Sequence, residues 1–365
     1  MKILHIITSL RIGGAERLVA TLAQLHHVDG DEVEVLLFDG TRTSLVEELE
    51  TCGISVHALG KGFAAMSNPL LLPALKRFLR KHPFDIVHAH NTSCQILTAM
   101  VPALTRVTTE HGTINRRRNW RWFKPIDRWM YSRYKKIVCV GEETRKNLSA
   151  WLNRPELNKK MTVIPNGIDL ERIRKATPAE EIQSVHGHRI LMVSAFRPEK
   201  DQQTLLRAMA LLPEGYVLFL AGGAETPENR ALMDSCVAQA APMRERVRFL
   251  GIRMDVPALL AAADVIVLSS HHEGMSLSML EGMASGKPMV ASDVAGIREL
   301  VSGAGLLFPE GDAKALAKMI QYICENPAEA AAVGSRCAAR VRPYDIAETA
   351  RRYLHLYESV INCPG

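Results

Sequence analysis

Glu273-Gly274-Met275-Ser276-Leu277-Ser278-Met279-Leu280-Glu281-Gly282-Met283-Ala284-Ser285-Gly286-Lys287-Pro288 decides how this chain is read. It follows an apolar run of strand length at 265–268 and opens a helical pattern. One carboxylate, Glu273, falls in the loop and the other, Glu281, on the helix. Loop amides at such a turn can hold phosphate or sugar oxygens, and carboxylates accept hydrogen bonds from sugar hydroxyls. Ser278-x-x-Glu281 also has the form of a capping box, which would explain Glu281 but not Glu273 or the glycines.

The same strand-turn-helix alternation runs outward in both directions. Strands are predicted at 2–8, 32–38, 55–59, 85–90, 106–109 and 136–140, with helices such as 15–25, 44–51, 70–81 and 142–152 between them. The pattern stops near Pro165-Asn166-Gly167, a turn signal, and a polar stretch at 171–183 reads as a helix or hinge. It restarts with strands at 189–193, 217–221, 247–250, 265–268 and 288–291. Alternating β and α with buried strands predicts an α/β fold of two doubly wound, Rossmann-like domains. The 365 residues suit two domains, placed at 1–170 and 171–343. An amphipathic helix from 344 onward is expected to pack back on the first domain. Ligands in such sheets bind beyond the carboxyl ends of the strands.

Three further turns stand at such ends. Ser9-Leu10-Arg11-Ile12-Gly13-Gly14-Ala15-Glu16-Arg17 follows the first strand, and its glycines let backbone approach an anion at a helix start. His111-Gly112 follows the strand at 106–109. Ser194-Ala195-Phe196-Arg197-Pro198-Glu199-Lys200-Asp201 follows the first strand of the second domain. Two cations beside a helix start are unfavourable unless they serve an anion, and a diphosphate suits Arg197 as a fork and Lys200 as a point charge.

With these turns in this order, the chain resembles the large family of retaining glycosyltransferases with the GT-B fold, family 4 in the sequence classification. Residues 273–288 are similar to its E-x7-E signature. The GGAER turn, His111-Gly112, Pro165-Asn166-Gly167-Ile168-Asp169 and Lys200-Asp201 fall in the family's order over essentially the whole chain. The resemblance implies a cleft between two Rossmann-like domains and transfer from a nucleotide-diphosphate sugar with retention. It implies that Glu273 and the amides of Gly274, Met275, Ser276 and Leu277 hold the transferred sugar. Glu281 would bind the nucleotide ribose, Arg197 and Lys200 would neutralise the diphosphate, and His111 would lie near the reacting sugar. Gly13, Gly14 and Gly251 would line the donor site, with Gly14 near the distal phosphate. No cofactor or metal is implied. The family's phosphate-binding Arg usually stands five residues before the Lys, where this chain has Ala195, and Arg197 is expected to substitute.

Composition narrows the setting. Apolar residues make up 47% and charged ones 23%, an ordinary globular balance, and no run of about 18 apolar residues suggests a membrane span. The first residues read as a strand rather than a signal peptide. Seven cysteines, an odd number without C-x-x-C, argue against disulfides or zinc and for a reducing cytoplasm. Residues 116–136 carry nine Arg or Lys against Asp127, more than the whole chain's excess of +6. Trp120, Trp122, Phe123, Trp129, Tyr131 and Tyr134 interleave them. That mixture suits an anionic membrane face or a lipid-linked or anionic saccharide acceptor, here preferred to nucleic acid; the alternative is that Trp129, Tyr131 and Tyr134 pack inward beneath a solvated Arg run.

Other readings are weaker. Asp29-Gly30-Asp31 has the form of a D-x-D metal motif but lies between a helix and a strand, where a turn is expected. Gly60-Lys61-Gly62-Phe63-Ala64-Ala65 approaches the dinucleotide fingerprint but follows the third strand and lacks the later acid. A sugar-nucleotide 2-epimerase shares the architecture but needs another acid–base constellation. A silent nucleotide-sugar-binding protein has only Ala195 in its favour.

Overall fold

A computed structural model describes residues 1–11, 13–62, 68–112, 115–273 and 275–362. The chain forms two compact units, Met1–Gly167 with Ile346–Gly365, and Ile168–Asp345.

The first unit holds β1 (Lys2–Ile7), β2 (Glu32–Leu37), β3 (Ser55–Ala58), β4 (Ile86–His90), β5 (Arg106–Glu110), β6 (Lys136–Cys139) and β7 (Met161–Val163). All pairs are parallel, in the order β3-β2-β1-β4-β5-β6-β7. The second holds β8 (His188–Val193), β9 (Tyr216–Ala221), β10 (Val247–Gly251), β11 (Val265–Leu268), β12 (Met289–Ser292) and β13 (Leu306–Phe308). These too are all parallel, in the order β10-β9-β8-β11-β12-β13. The expected doubly wound α/β class is the observed one, and the order adds what the sequence could not show. In each sheet the chain winds outward from a central strand and then crosses back. The reversals fall between β1 and β4, and between β8 and β11. Helices leave those paired strands on opposite faces, and the loops diverge to leave a crevice at the carboxyl ends.

Central strands are buried on both faces, as continuous apolar runs require. In β1, Ile3 and Ile7 join one core and Leu4 and Ile6 the other. The first of these cores is closed by the helix Ile346–Asn362, which buries Ile346, Ala350, Tyr353, Tyr357 and Val360 at helical spacing. Thr349 ties its first turn to the Pro165 carbonyl at 3.1 Å. The helix starts two residues later than the amphipathic pattern suggests, because Arg342–Tyr344 turns as a 3-10 segment. The polar stretch near 171–183 resolves into two short helices, Leu170–Arg174 and Glu180–Gln183. The strands β7 and β13 were not read from the sequence.

Candidate active site

The reversal between β8 and β11 gathers the second unit's charged candidates. From β8 the chain runs through Ser194–Arg197 into the 3-10 turn Pro198–Lys200, and Asp201 then caps the helix Gln202–Met209 by accepting from Thr204 N at 3.1 Å. From β11 it runs through Ser269–Glu273 to the helix Leu277–Ala284. The two loops are stitched together. Ser269 Oγ donates to the carbonyls of Lys200 and Asp201 at 3.2 and 2.8 Å, and His271 N donates to the Glu199 carbonyl at 2.9 Å. Lys200 Nζ is thereby brought onto Glu273 Oε1, which also accepts from Ser270 Oγ at 2.8 Å.

Glu273 is 8% exposed, so this pair sits where partners count. One carboxylate oxygen is fixed by Lys200 and Ser270, while Oε2 has no partner among the described residues. Lys200 has three N–H donors and uses one on Glu273. Both therefore keep bonding capacity toward a ligand. Arg197 is exposed, and its side chain has no partner among the described residues. The carbonyl of Ala195, where the family's Arg usually stands, accepts from Gln202 Nε2 at 2.9 Å.

Other expectations fare differently. Ser276 is the N-cap of the helix Leu277–Ala284, and Ser278 lies within it, sharing a 3.0 Å hydroxyl contact with Ser276. The capping box is therefore not formed, and Glu281 is not accounted for by capping. Met275, Ser276 and Leu277 lead into the helix's first turn, whose amides lack intrahelical acceptors. Gly274 lies outside the described residues, as do Ile12 and 63–65 of the fingerprint-like stretch. Gly251 ends β10 at φ 65°, a conformation that favours glycine, and its carbonyl accepts from Gly222 N at 2.8 Å. Gly222 is itself obligatory, since a Cβ there would run into the Ser194 carbonyl.

In the first unit, the reversal between β1 and β4 is lined by histidines, with the Arg11–Asp39 ion pair in the turn after β1. Gly13 is the extended N-cap of the helix Gly14–Val28, and a Cβ on it would collide with the Glu16 carboxylate. Asn91, at φ 63° after β4, donates to Thr8 Oγ1 at 3.0 Å and so ties the two strand ends together. His5 on β1 stands in register with His88 on β4. From the end of β5, His111 Nε2 reaches His90 Nδ1 at 3.0 Å, and His90 Nε2 reaches His5 Nδ1 at 3.1 Å. His88 bonds Tyr357 Oη at 2.6 Å and Thr109 Oγ1 at 2.8 Å. Burial lowers the His5 pKa to about 3, helped by His26, and lowers His111 to about 4 against the pull of Glu110. Burial and neighbouring rings hold His88 and His90 well below the ordinary value. All these rings are neutral at pH 7. His5, His88 and His90 bring ring nitrogens within 4.8 Å of one another, but both nitrogens of His88 and His90 are already engaged. The grouping is a hydrogen-bonded one. Sequence reading singled out His111 but missed His5 and His90. The available signal was histidine inside otherwise apolar strands.

The basic segment divides in two. Arg117 is buried and Arg118 nearly so, and they compensate acids. Arg118 meets Glu110 at 2.6 Å, Arg117 meets Asp127 at 2.9 Å, and Tyr131 closes the network on Glu110 and Arg117. Burial raises the Glu110 pKa, but Arg118 and Arg117 outweigh it and hold the carboxyl below its usual range. Tyr131 and Tyr134 are core residues. Trp120, Trp122 and Trp129 are instead 56, 63 and 44% exposed, with Trp120 stacked on Trp122, and Arg121, Arg133 and Lys135 of the same segment are also exposed. Asp29-Gly30-Asp31 is a turn whose Asp31 binds the chain's amino terminus at 2.6 Å.

Comparison with known proteins now meets this geometry. Residues 12–172 match the profile described as Glycosyltransferase Family 4, and residues 187–326 match Glycosyl transferases group 1. The chain belongs to this glycosyltransferase family. The transferase is 25% identical to the phosphatidyl-myo-inositol mannosyltransferase of Mycobacterium leprae, over 95% of this chain and 93% of that one. It is 24% identical to the UDP-Gal:alpha-D-GlcNAc-diphosphoundecaprenol alpha-1,3-galactosyltransferase of Escherichia coli, over 82% and 81%. HepE of Anabaena, solved with UDP-glucose, superposes with a TM-score of 0.86 at 22% identity, covering 98% of the transferase and 100% of HepE. The fold of the transferase is GT-B, and it is an enzyme of sugar transfer.

Proposed function

We propose that the enzyme moves a sugar from a nucleotide-diphosphate donor to a saccharide or lipid-linked acceptor, with retention of anomeric configuration, in polysaccharide or glycolipid synthesis. The observation that carries the donor assignment is the Glu273 carboxylate, fixed through one oxygen by Lys200 and Ser270 and open at the other. A fixed acceptor suits sugar hydroxyls, because a site built on one hydrogen-bonding geometry rejects molecules lacking the matching group. Spare Lys200 donors and exposed Arg197 suit a departing diphosphate, whose charge grows in the transition state. Glu281 binds the ribose, Gly13, Gly14 and Gly251 line the donor, and His111 contacts the reacting sugar. The charge is met by cations and amides, without a metal. The names of the mycobacterial and E. coli relatives, one acting on an inositol phospholipid and the other on a polyprenyl diphosphate, support a lipid-linked acceptor here.

A thermal-shift series with UDP, GDP, ADP, CMP and their sugar conjugates tests the donor site. A diphosphate at 100 times its dissociation constant stabilises the protein by about 2.7 kcal/mol, and Lys200→Ala or Glu281→Ala removes that increment relative to its own ligand-free melt. A full shift in both variants sinks the assignment.

The exposed tryptophans with Arg121, Arg133 and Lys135 are the docking face for an anionic bilayer, on the cytoplasmic side. No helix among the described residues is long and apolar enough to cross a membrane, so attachment through this face is peripheral. Binding to vesicles containing phosphatidylglycerol should exceed binding to phosphatidylcholine vesicles about tenfold, R121S/R133S/K135S should abolish the difference, and W120S/W122S should weaken binding to both. Equal binding to both vesicle types removes this assignment.

A further inference from the structure

The row of imidazoles running inward from His111 has a direction. Each link joins Nε2 of one ring to Nδ1 of the next, from His111 to His90 and from His90 to His5. The two end atoms, His111 Nδ1 and His5 Nε2, are buried and have no partner among the described residues. A neutral imidazole carries one proton, so the row can be polarised in two ways only. With every proton on Nε2, the row ends in an orphaned N–H on His5, a residue with 0% exposure. With every proton on Nδ1, His5 ends the row with a bare electron pair, and the N–H falls on His111.

The second arrangement is favoured twice over. Either arrangement leaves one buried N–H without an acceptor, and the cost is lower on His111, which is partly exposed at a strand terminus where an incoming oxygen can approach, than on His5, which has no exposure. Glu110, next in sequence, is ionised and places negative potential at the His111 end. The remaining groups around the row do not oppose this. His26 is tied to the Ala350 carbonyl at 3.1 Å, and His88, whose ring centroid lies 4.0 Å from that of His90, is held between Tyr357 and Thr109, with Tyr353 beyond.

We propose that His90 and His5 are positioning residues that lock His111 as its Nδ1–H tautomer, so that it meets the sugar as a hydrogen-bond donor and neither as base nor as acid. The contact with sugar rests on the role given to His111 above. The tautomer does not, and the test separates the two.

In full-length protein labelled with 15N at the histidine rings, long-range 1H–15N spectra should show Nδ1 protonated and Nε2 bare on both His90 and His111. Free neutral histidine prefers the opposite form, so H90F should return His111 to Nε2–H, and H90N, whose amide N–H replaces the lost donor, should keep Nδ1–H. Sugar transfer should lose about tenfold in kcat in H90F with little change in KM, and recover in H90N. An Nε2–H His111 in the wild-type protein overturns the proposal whatever the activities, and needs no folded variant. If the tautomers are as stated but H90F turns over like wild type, the lock stands and the sugar contact of His111 is overturned.

Discussion

The two chain reversals, one in each unit, are built from opposite chemistry. Between β8 and β11 stand Lys200, Arg197 and Glu273, charges with bonding capacity left over. Between β1 and β4, and onward past the end of β5, stand neutral imidazoles bonded to one another and to buried Tyr357 and Thr109. The charged reversal can exchange partners when an anion arrives, because its groups keep lone pairs and donors free. The neutral one cannot exchange cheaply. Buried polar networks in a low dielectric are rigid when satisfied and costly when disturbed. One reversal is thus suited to binding charge, the other to holding a fixed donor or acceptor in place.

Acid should separate them most strongly. His5, His26, His88, His90 and His111 all titrate in the folded protein below their ordinary value near 6.5. Between the folded and unfolded values the unfolded chain binds protons that the folded one does not, so stability is lost as the pH falls through that window. With His5 at about 3 and His111 at about 4, each has cost the fold about 2 kcal/mol by pH 5. Glu110, held below its ordinary range, remains ionised there and adds only a little to the slope, in the same direction. The second unit's histidines, His186, His188, His271 and His272, are at least partly exposed. All four tryptophans, Trp120, Trp122, Trp129 and Trp151, belong to the first unit, so their fluorescence reports it alone while far-ultraviolet circular dichroism reports both. In urea titrations at pH 7.5 and 5, the fluorescence midpoint should fall well ahead of the second dichroism transition. Equal displacement of both would erase the contrast.

Glu110 offers the next largest effect and sharpens the same point at neutral pH. Glu110→Ala leaves Arg118 and Arg117 buried beside a single acid, Asp127, and should destabilise the first unit by about 3–5 kcal/mol. Arg121→Ala, on the exposed half of the same basic segment, should fall within about 0.5 kcal/mol of wild type. Urea midpoints by tryptophan fluorescence measure both. Similar small losses would mean that the buried network can relax.

What the sequence disclosed and withheld follows from range. The central strands announced themselves as apolar runs, while β7 and β13, edge strands of three residues, carry too little pattern to register. Lys200 and Glu273 were each legible from their turns, but their contact depends on β8 lying next to β11, which strand order decides and local sequence does not. The doubly buried strands hid the histidine row for the same reason, since its links join β1, β4 and the end of β5. Arg117 and Arg118 looked like part of an exposed cationic surface because Glu110 lies outside the basic segment, folded beneath it. The supposed capping box failed because the helix begins at Leu277, two residues too early for Ser278 to cap it.

The smallest effect probes the charged reversal from within. Ser270 is buried and donates to the same Glu273 oxygen that Lys200 holds. Ser270→Ala removes a hydrogen bond to a charged acceptor, about 1.5 kcal/mol, without creating an unpaired charge, because Lys200 remains. The carboxylate then keeps its charge partner but loses one of two constraints on its orientation. Donor affinity, measured by calorimetry with the nucleotide sugar that shifts the wild-type melt, should fall about tenfold. The fluorescence-reported unfolding of the first unit should not move. If donor affinity is unchanged, Lys200 alone orients Glu273, and the freedom that marks this reversal extends to its carboxylate as well as its cations.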